Sequence, residues 1–204
     1  MSDTQALMTA LIEAVATCVI DHADELTDLD QAIGDGDHGA NMKRGFQEVL
    51  SKVEELSAKP LPDAIKAAGT TLVMKVGGAS GPLYGTLLMT IGKELAGKDL
   101  DSDSVTAAFG AAITAVMARG KSQAGQKTML DVLVPVHESM VAGNSDLASI
   151  RQLSDDAAKA TIPMLATKGR ASFLGERSIG HMDPGARSSS LIIGAVCDVL
   201  EKGS

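Results

Sequence analysis

The sequence predicts an all-α protein, and three observations lead to this prediction. Hydrophobic residues recur with helical period in almost every segment, and no segment shows the strict alternation of a half-buried strand. Hydrophobic residues make up 45% of the 204-residue chain while aromatic residues make up 2%, so the core must be aliphatic. Short connections separate about eight periodic segments, which is typical of an up-and-down antiparallel bundle folded as a single domain.

The individual helices follow from this periodicity and from local start and stop signals. Pro62 suits the first turn of the third helix, Ser80 can cap the fourth, and Asp183 can cap the last, which starts at Pro184. Gly169 is expected just beyond the end of the seventh helix. The predicted ranges are about 4–24, 37–56, 62–76, 80–96, 104–119, 129–142, 146–168 and 184–200.

Four connections are chemically unusual, and all four should lie at the same end of the bundle. They follow the first, third, fifth and seventh helices and read DLDQAIGDGDHGANMKRG, VGGASG, RGKSQAGQKT and GRASFLGERSIGHMDPG. Alternate connections of an up-and-down bundle share an end, and the other three read as plain turns. Helix N-termini gather at that end as well, so we expect one functional site there that suits an anion.

The acidic stretch between residues 28 and 45 is the strongest chemical signal. Asp30, Asp35 and Asp37 supply oxygen ligands of the kind that Mg²⁺ prefers, with phosphate as a further ligand. The alternative is a solvated acidic turn in which Asp37 only caps the next helix. A dinucleotide fingerprint is rejected because no hydrophobic strand precedes the glycines. A calcium-binding EF-hand is rejected because Ala40 and Phe46 stand where that loop needs Gly and Glu.

Composition excludes several other classes of protein. A formal charge of −8 argues against nucleic-acid binding, because phosphate backbones demand basic patches. No uninterrupted apolar run predicts a membrane span, and the N-terminus does not read as a signal peptide. Cys18 and Cys197 read as core residues in a reducing cytoplasm, not as a disulfide. We therefore expect a cytoplasmic protein.

A nucleotide polyphosphate is the ligand that needs both a cation and anion-binding helix ends. No Walker A loop occurs, so such a site would be an unusual one. His38 could face a phosphate or a carboxylate, Arg170 and Arg177 could bind phosphate or pair with acids, and Met129 could pack on an adenine. His181 could touch the nucleotide or only brace its loop.

At this point the motifs resemble a known family. DLDQAIGDGDHGANMKRG, VGGASGPLYG, RGKSQAGQKTMLD and KGRASFLGERSIGHMDPG are similar to the sequence blocks of the ADP-binding L subunit of phosphotransferase-system-dependent dihydroxyacetone kinase. The resemblance spans nearly the whole chain. Asp28 and Ser122 depart from the family pattern, and neither is a proposed ligand.

The resemblance implies a closed barrel of eight antiparallel helices with ADP and two Mg²⁺ ions at one end. It implies that Asp30, Asp35 and Asp37 are the metal ligands. Nucleotide contacts are implied for His38, Gly39, Ala40, Asn41, Ala79, Ser80, Gly120, Met129, Arg170, Asp183, Pro184 and Gly185.

The resemblance also implies an activity. ADP stays bound as a coenzyme, a phosphohistidine on an M subunit phosphorylates it to ATP, and the γ-phosphoryl group passes to dihydroxyacetone on a K subunit. No protein nucleophile is expected. Two alternatives stay open: a domain of an ATP-dependent dihydroxyacetone kinase, which a free-standing chain of this length argues against, and a ligand for a transcriptional regulator.

Overall fold

The computed structural model describes residues 3–203, and all of its regular elements are helical. The described part contains ten α-helices and one 3₁₀ helix, with no strand. The α-helices are α1 (Asp3–Asp21), α2 (Ala23–Ile33), α3 (His38–Leu50), α4 (Val53–Ser57), α5 (Leu61–Lys75), α6 (Ser80–Leu95), α7 (Ser102–Gly120), α8 (Leu130–Val141), α9 (Leu147–Ala160) and α10 (Pro184–Lys202). The 3₁₀ helix spans Arg170–Ser178.

The first predicted helix is longer than expected. It breaks at His22 and continues as α2, so Asp28 and Asp30 are helical and the prediction of a loop from Asp28 was wrong. Its buried stripe runs through Leu26, Asp30 and Ile33, at helical spacing. A carboxylate at one buried position and acidic residues around it concealed this stripe in the sequence.

Two further predictions needed correction. The second predicted helix divides into α3 and α4 around Ser51 and Lys52. The seventh ends at Ala160 instead of Lys168, because the residue before Pro163 is disfavoured in helical conformation. Part of the expected glycine-rich loop forms the 3₁₀ helix, with Gly175 at a positive φ of 57° inside it.

The helices pack in sequence order, and the last returns to the first. α1 packs on α3, α3 on α5, α5 on α6, and so on to α9 on α10, while α10 also packs against α1. Residues such as Val19, Leu72 and Leu130 form an aliphatic core with almost no exposed surface. α5 and α6 approach closely, because a Cβ on Gly85 would lie 2.2 Å from the Val73 side chain.

α1 is the only helix of the described chain that is long and apolar enough to cross a membrane, and only 17% of Thr4–Asp21 is buried. Its buried residues Met8, Ala16 and Val19 face the protein core. Cys18 and Cys197 are both free thiols, as predicted.

Candidate functional site

The four unusual connections line one cavity of about 330 Å³. Its lining residues come from the α2–α3, α5–α6, α7–α8 and α9–α10 connections and from the helix ends beside them. Of the sequence-predicted residues, the lining includes Asp30, Asp35, Asp37, His38, Ala79, Ser80, Met129, Arg170, Asp183, Pro184 and Gly185. The expectation that these loops share one end is therefore confirmed.

Asp30, Asp35 and Asp37 form a cluster on one side of this cavity. One ligand oxygen from each lies within 4.8 Å of the others, a separation that a single cation can bridge. Asp30 is buried, whereas Asp35 and Asp37 are exposed. Like charges this close repel, so a cation between them would relieve an unfavourable interaction. An all-oxygen set of this kind fits a hard divalent ion such as Mg²⁺.

The start of α3 is capped from another helix. Asp30 Oδ2, on α2, accepts the backbone N–H groups of Asp37 at 2.9 Å and of His38 at 3.1 Å. Asp37 occupies the N-cap position, but its side chain makes no capping hydrogen bond. The alternative that Asp37 only caps the helix is therefore wrong, and its carboxylate stays available to a ligand.

His38 is buried and bonded at both ring nitrogens. Nδ1 lies 2.9 Å from Ser80 Oγ, and Nε2 lies 2.9 Å from Ser188 Oγ. The Ser188 hydroxyl also lies 2.9 Å from the Pro184 carbonyl, so the ring is held in a network of hydroxyl groups in which the His38 tautomer sets which partner donates. Burial lowers the pKa of His38, while the Asp30 and Asp37 carboxylates oppose this shift. The two serine contacts thus fix the ring in orientation, and burial disfavours its charged form.

Behind His38 lies a polar network that sequence reasoning missed. The Tyr84 hydroxyl is 2.7 Å from Ser188 Oγ and 2.9 Å from Ser189 Oγ, and it donates to the Gly185 carbonyl at 3.1 Å. Burial raises the pKa of Tyr84 to about 12, although its hydrogen bonds with Ser188 and Ser189 act in the opposite direction. Three consecutive serines on the inner side of a helix were the available signal.

The glycines of VGGASG have different roles. A Cβ on Gly77 would lie 2.6 Å from Asn41 Oδ1, and one on Gly81 would lie 2.3 Å from the Val76 carbonyl. These two glycines therefore permit packing within the protein and not a ligand's approach. Gly78 adopts a positive φ of 63° and lines the cavity. Ser80, expected to cap α6, makes no capping bond and holds His38 instead.

Arg170 approaches the acidic cluster from the opposite side of the cavity. Its Nη2 lies 3.0 Å from Asp35 Oδ2, and its side chain is 71% exposed. The sequence left phosphate binding and acid pairing open for this residue, and here it pairs with an acid. It begins the 3₁₀ helix directly after Gly169, which has a positive φ of 66°.

Asp183 caps α10 at the cavity, as predicted. Its Oδ2 accepts the backbone N–H of Ala186 at 2.7 Å. Burial raises the pKa of Asp183 to about 7, against the lowering effects of that hydrogen bond and of Lys127. Met129 is buried and lies beside Gly185, so α8 and α10 meet at this wall.

Lys127 also lines the cavity and was not predicted. It lies in the α7–α8 connection, and the Asp131 carboxylate orders that connection by accepting the backbone N–H groups of Gly125 and Thr128. The sequence offered only a lysine in a polar loop.

Six residues that the sequence considered lie outside the cavity lining. A Cβ on Gly39 would lie 1.9 Å from the Ala23 carbonyl, so this glycine serves the contact between α3 and α2. Asn41 Oδ1 accepts from Arg44 Nη2 at 2.7 Å. The lining omits Gly39, Ala40, Asn41, Gly120, Arg177 and His181.

A second cavity of about 430 Å³ lies between α1, α9 and α10. Its arginines are paired with acids, Arg151 with Asp198 and Arg187 with Asp155. It contains none of the predicted site residues.

The comparisons with known proteins agree with one another. The sequence model of the DAK2 domain family matches residues 32–198. A Listeria innocua protein named PEP-dependent dihydroxyacetone kinase 1, ADP-binding subunit DhaL, is 47% identical, and the match covers 84% of each chain. The Escherichia coli PEP-dependent dihydroxyacetone kinase ADP-binding subunit DhaL is 44% identical, over 80% of this chain and 81% of that one.

More distant matches are to longer chains. The L-erythrulose 1-kinase of Mycolicibacterium smegmatis is 32% identical over 95% of this chain but only 35% of its own length. The crystal structure of the dihydroxyacetone kinase of C. freundii superposes with a TM-score of 0.78 at 24% identity, over 95% of this chain and 34% of that one. The structure of the C. freundii kinase in complex with AMP-PNP and Mg²⁺ matches with a TM-score of 0.75 at 23% identity.

Proposed function

Because this chain belongs to the DAK2 domain family, we propose that it is the ADP-binding subunit of a dihydroxyacetone kinase and acts as a phosphotransferase. ADP binds in the 330 Å³ cavity, with Mg²⁺ beside the acidic cluster. The observation that carries the proposal is the convergence of Asp30, Asp35 and Asp37 within 4.8 Å in a cavity bordered by helix N-termini. Relatives that are 42–47% identical over most of this chain carry the same subunit name.

Each part of the site has a proposed role. Asp30, Asp35 and Asp37 would hold Mg²⁺, for which the family resemblance implies two ions. Bound Mg²⁺ neutralises phosphate charge and favours phosphoryl transfer. Arg170 binds phosphate, and Met129 packs on the adenine. The remaining proposed nucleotide contacts are the α3 start at His38, Gly39, Ala40 and Asn41, the α6 start at Ala79 and Ser80, the α7 end at Gly120, and the α10 start at Asp183, Pro184 and Gly185.

The reaction that we propose is a relay. A phosphohistidine on a partner M subunit phosphorylates bound ADP, and the resulting ATP phosphorylates dihydroxyacetone held on a partner K subunit. The proposed relay needs no protein nucleophile, because the phosphoryl group passes through the bound nucleotide, and His38 is held in place by Ser80 and Ser188. The chain's contribution is positioning and electrostatic stabilisation, which suffice for phosphoryl transfer.

A second candidate is a domain of an ATP-dependent kinase, which binds ATP from solution as a substrate and releases ADP after each turnover. The observation that favours this candidate is the match to about one third of the L-erythrulose 1-kinase, a longer kinase chain. The higher identity to the separate ADP-binding subunits favours the relay.

We also propose that the whole chain forms one cytoplasmic nucleotide-binding domain, a closed antiparallel barrel. The return of α10 to α1 and the packing of successive helices support this arrangement. The nucleotide cavity then lies at one end of the barrel, where α3, α6, α8 and α10 begin.

The metal assignment is tested with Asp35→Ala, and Asp28→Ala, on the exposed side of α2, is the matched control. Asp35→Ala should lose Mg²⁺-dependent retention of ADP and keep its helical circular dichroism, while Asp28→Ala should behave as the parent protein. Retention of ADP and of kinase activity by Asp35→Ala, with cognate partner subunits, would refute the assignment.

A further inference from the structure

Lys127 is a fully buried lysine that the proposed phosphoryl transfer does not use. The residue is 1% exposed, although it lies in a surface connection of polar residues. Its backbone has a positive φ of 63°, which few residues other than glycine adopt. A buried charge in a strained conformation costs stability unless its environment compensates for it.

The ammonium group lies in a cage of backbone carbonyl oxygens. Nζ donates to Ser178 O at 2.5 Å, Met164 O at 3.0 Å and Ile162 O at 3.5 Å. Lysine has three N–H donors, so this cage accounts for all of them. No donor is left for a phosphate, even though the residue lines the cavity.

All three carbonyls belong to the α9–α10 connection, residues 161–183, which also carries Arg170. Other contacts also fix this segment to the rest of the protein, among them the Arg170–Asp35 ion pair and the packing of Met182 against the core cluster that includes Val132. Thr167 N donates to Gln126 O at 3.3 Å, and Ile33 packs against a small apolar cluster that includes Ala166 and Ala171. The lysine therefore joins the segment to the α7–α8 connection at three points along its length.

The buried Asp183 carboxyl group acts electrostatically on Lys127. Burial lowers the pKa of Lys127, and the Asp183 carboxylate opposes that shift. Hydrogen bonds from a charged donor to carbonyls are stronger than neutral ones, so the cage has the character of a cation site filled by a side chain.

We propose that Lys127 is a positioning residue that clamps residues 161–183 over the cavity and thereby slows nucleotide release. The role in nucleotide release rests on the proposed function, whereas the clamp itself does not. Without the ammonium group, the Ser178 and Met164 carbonyls lose a charged donor, while the Ile162 carbonyl keeps the backbone N–H of Gly180, and the segment that holds Arg170 opens more readily.

The experiment compares Lys127→Ala with Lys98→Ala, which removes the same charge from the exposed α6–α7 connection. ADP release is followed by chase with unlabelled ADP after loading a fluorescent analogue with Mg²⁺. Lys127→Ala should release the analogue about ten- to hundred-fold faster, the range expected for losing hydrogen bonds from a charged group. Lys98→Ala should match the parent protein.

Chemical rescue separates the clamp from a general loss of stability. n-Propylammonium reproduces the atoms that Lys127→Ala removes beyond Cβ, and it should restore slow release and slow amide exchange in residues 161–183. Tetramethylammonium at the same concentration has no N–H donor and should restore neither. Lys127→Met keeps the apolar stem without the donors, so it tests the clamp if Lys127→Ala fails to fold.

Hydrogen exchange of the backbone amides in the nucleotide-free protein tests the clamp independently of nucleotide binding. If the parent protein binds no ADP, the proposed function fails, and faster exchange of residues 161–183 in the Lys127 variants still supports the clamp. Unchanged exchange and unchanged release in both variants would overturn the inference. Weaker ADP binding with unchanged exchange would also overturn it, because Lys127 would then contact the nucleotide directly.

Discussion

Arg170 and Asp35, which both line the cavity, form an ion pair with 3.0 Å between Nη2 and Oδ2. The arginine side chain is 71% exposed, so solvent screens this pair and it contributes little to stability. Both partners are proposed ligands, one of phosphate and one of Mg²⁺. Binding of the nucleotide with its metal would therefore exchange a weak ion pair for stronger contacts on both sides.

Arg170→Ala should leave the free energy of unfolding within about 0.5 kcal/mol of the parent value, as for other exposed pairs. Its affinity for Mg²⁺–ADP should fall about ten- to hundred-fold, because a charged hydrogen bond to phosphate is lost. Isothermal titration calorimetry and urea unfolding measure the two quantities. Unchanged affinity would show that Arg170 only pairs with Asp35.

Asp30 and Asp37 should differ in their effect on stability, although both are proposed Mg²⁺ ligands. Asp30→Ala removes the cap of α3 and should lower the free energy of unfolding by about 1–2 kcal/mol. Asp37→Ala removes no capping hydrogen bond, and it reduces the repulsion among the three carboxylates. The stability of this variant should therefore be unchanged or slightly higher. Urea unfolding in EDTA, without nucleotide, checks this contrast. Equal losses in the two variants would contradict it.

This contrast also shows how far the sequence could go. The three aspartates could be identified from the sequence because the stretch between residues 28 and 45 is rich in aspartate and poor in hydrophobic residues, a composition that indicates a cation site. Their different roles could not be predicted, since Asp30 lies on a helix whose buried face includes the Asp30 carboxylate itself. The position of the four loops at one end of the bundle could be predicted, because alternate connections of antiparallel helices lie at the same end.

Long-range contacts explain what the sequence could not predict. Tyr84 meets Ser188 across 104 positions, and Lys127 meets Ser178 across 51. Nothing local distinguishes this lysine from a solvated one or this tyrosine from a core residue. The end of α9 was missed for a different reason, because the hydrophobic period continues past Ala160 although Pro163 stops the helix.

Tyr84 offers a direct spectroscopic check, since it is the only tyrosine in the chain. Its pKa of about 12 predicts that tyrosinate absorbance of the folded protein rises about two pH units later than that of an exposed tyrosine. The same titration in denaturant should have its midpoint near 10 and serves as the control. A midpoint near 10 with circular dichroism still intact would place the hydroxyl in solvent.

Asp183 should make stability depend on pH. Its carboxyl takes up a proton near pH 4 when unfolded but near pH 7 when folded, so the folded state binds more protons between these values. Stability should therefore fall as the pH rises through this window, by up to about 1.4 kcal/mol per pH unit from this residue.

Asp183→Asn keeps a side chain that can cap α10 and removes the titration. The difference in unfolding free energy between parent and variant, measured by urea unfolding from pH 4 to 8 without metal, isolates the contribution of Asp183. A difference that stays constant across this range would contradict the raised pKa.

The account depends most on a nucleotide that is bound with Mg²⁺ and retained. The most direct measurement is to dialyse the purified protein extensively against Mg²⁺ buffer, denature it, and quantify the released nucleotide by chromatography. About one ADP per chain is the predicted result, because only a tightly held coenzyme survives dialysis. No released nucleotide, together with weak and reversible binding of ATP on titration, would contradict the relay and favour a domain that exchanges ATP as a substrate.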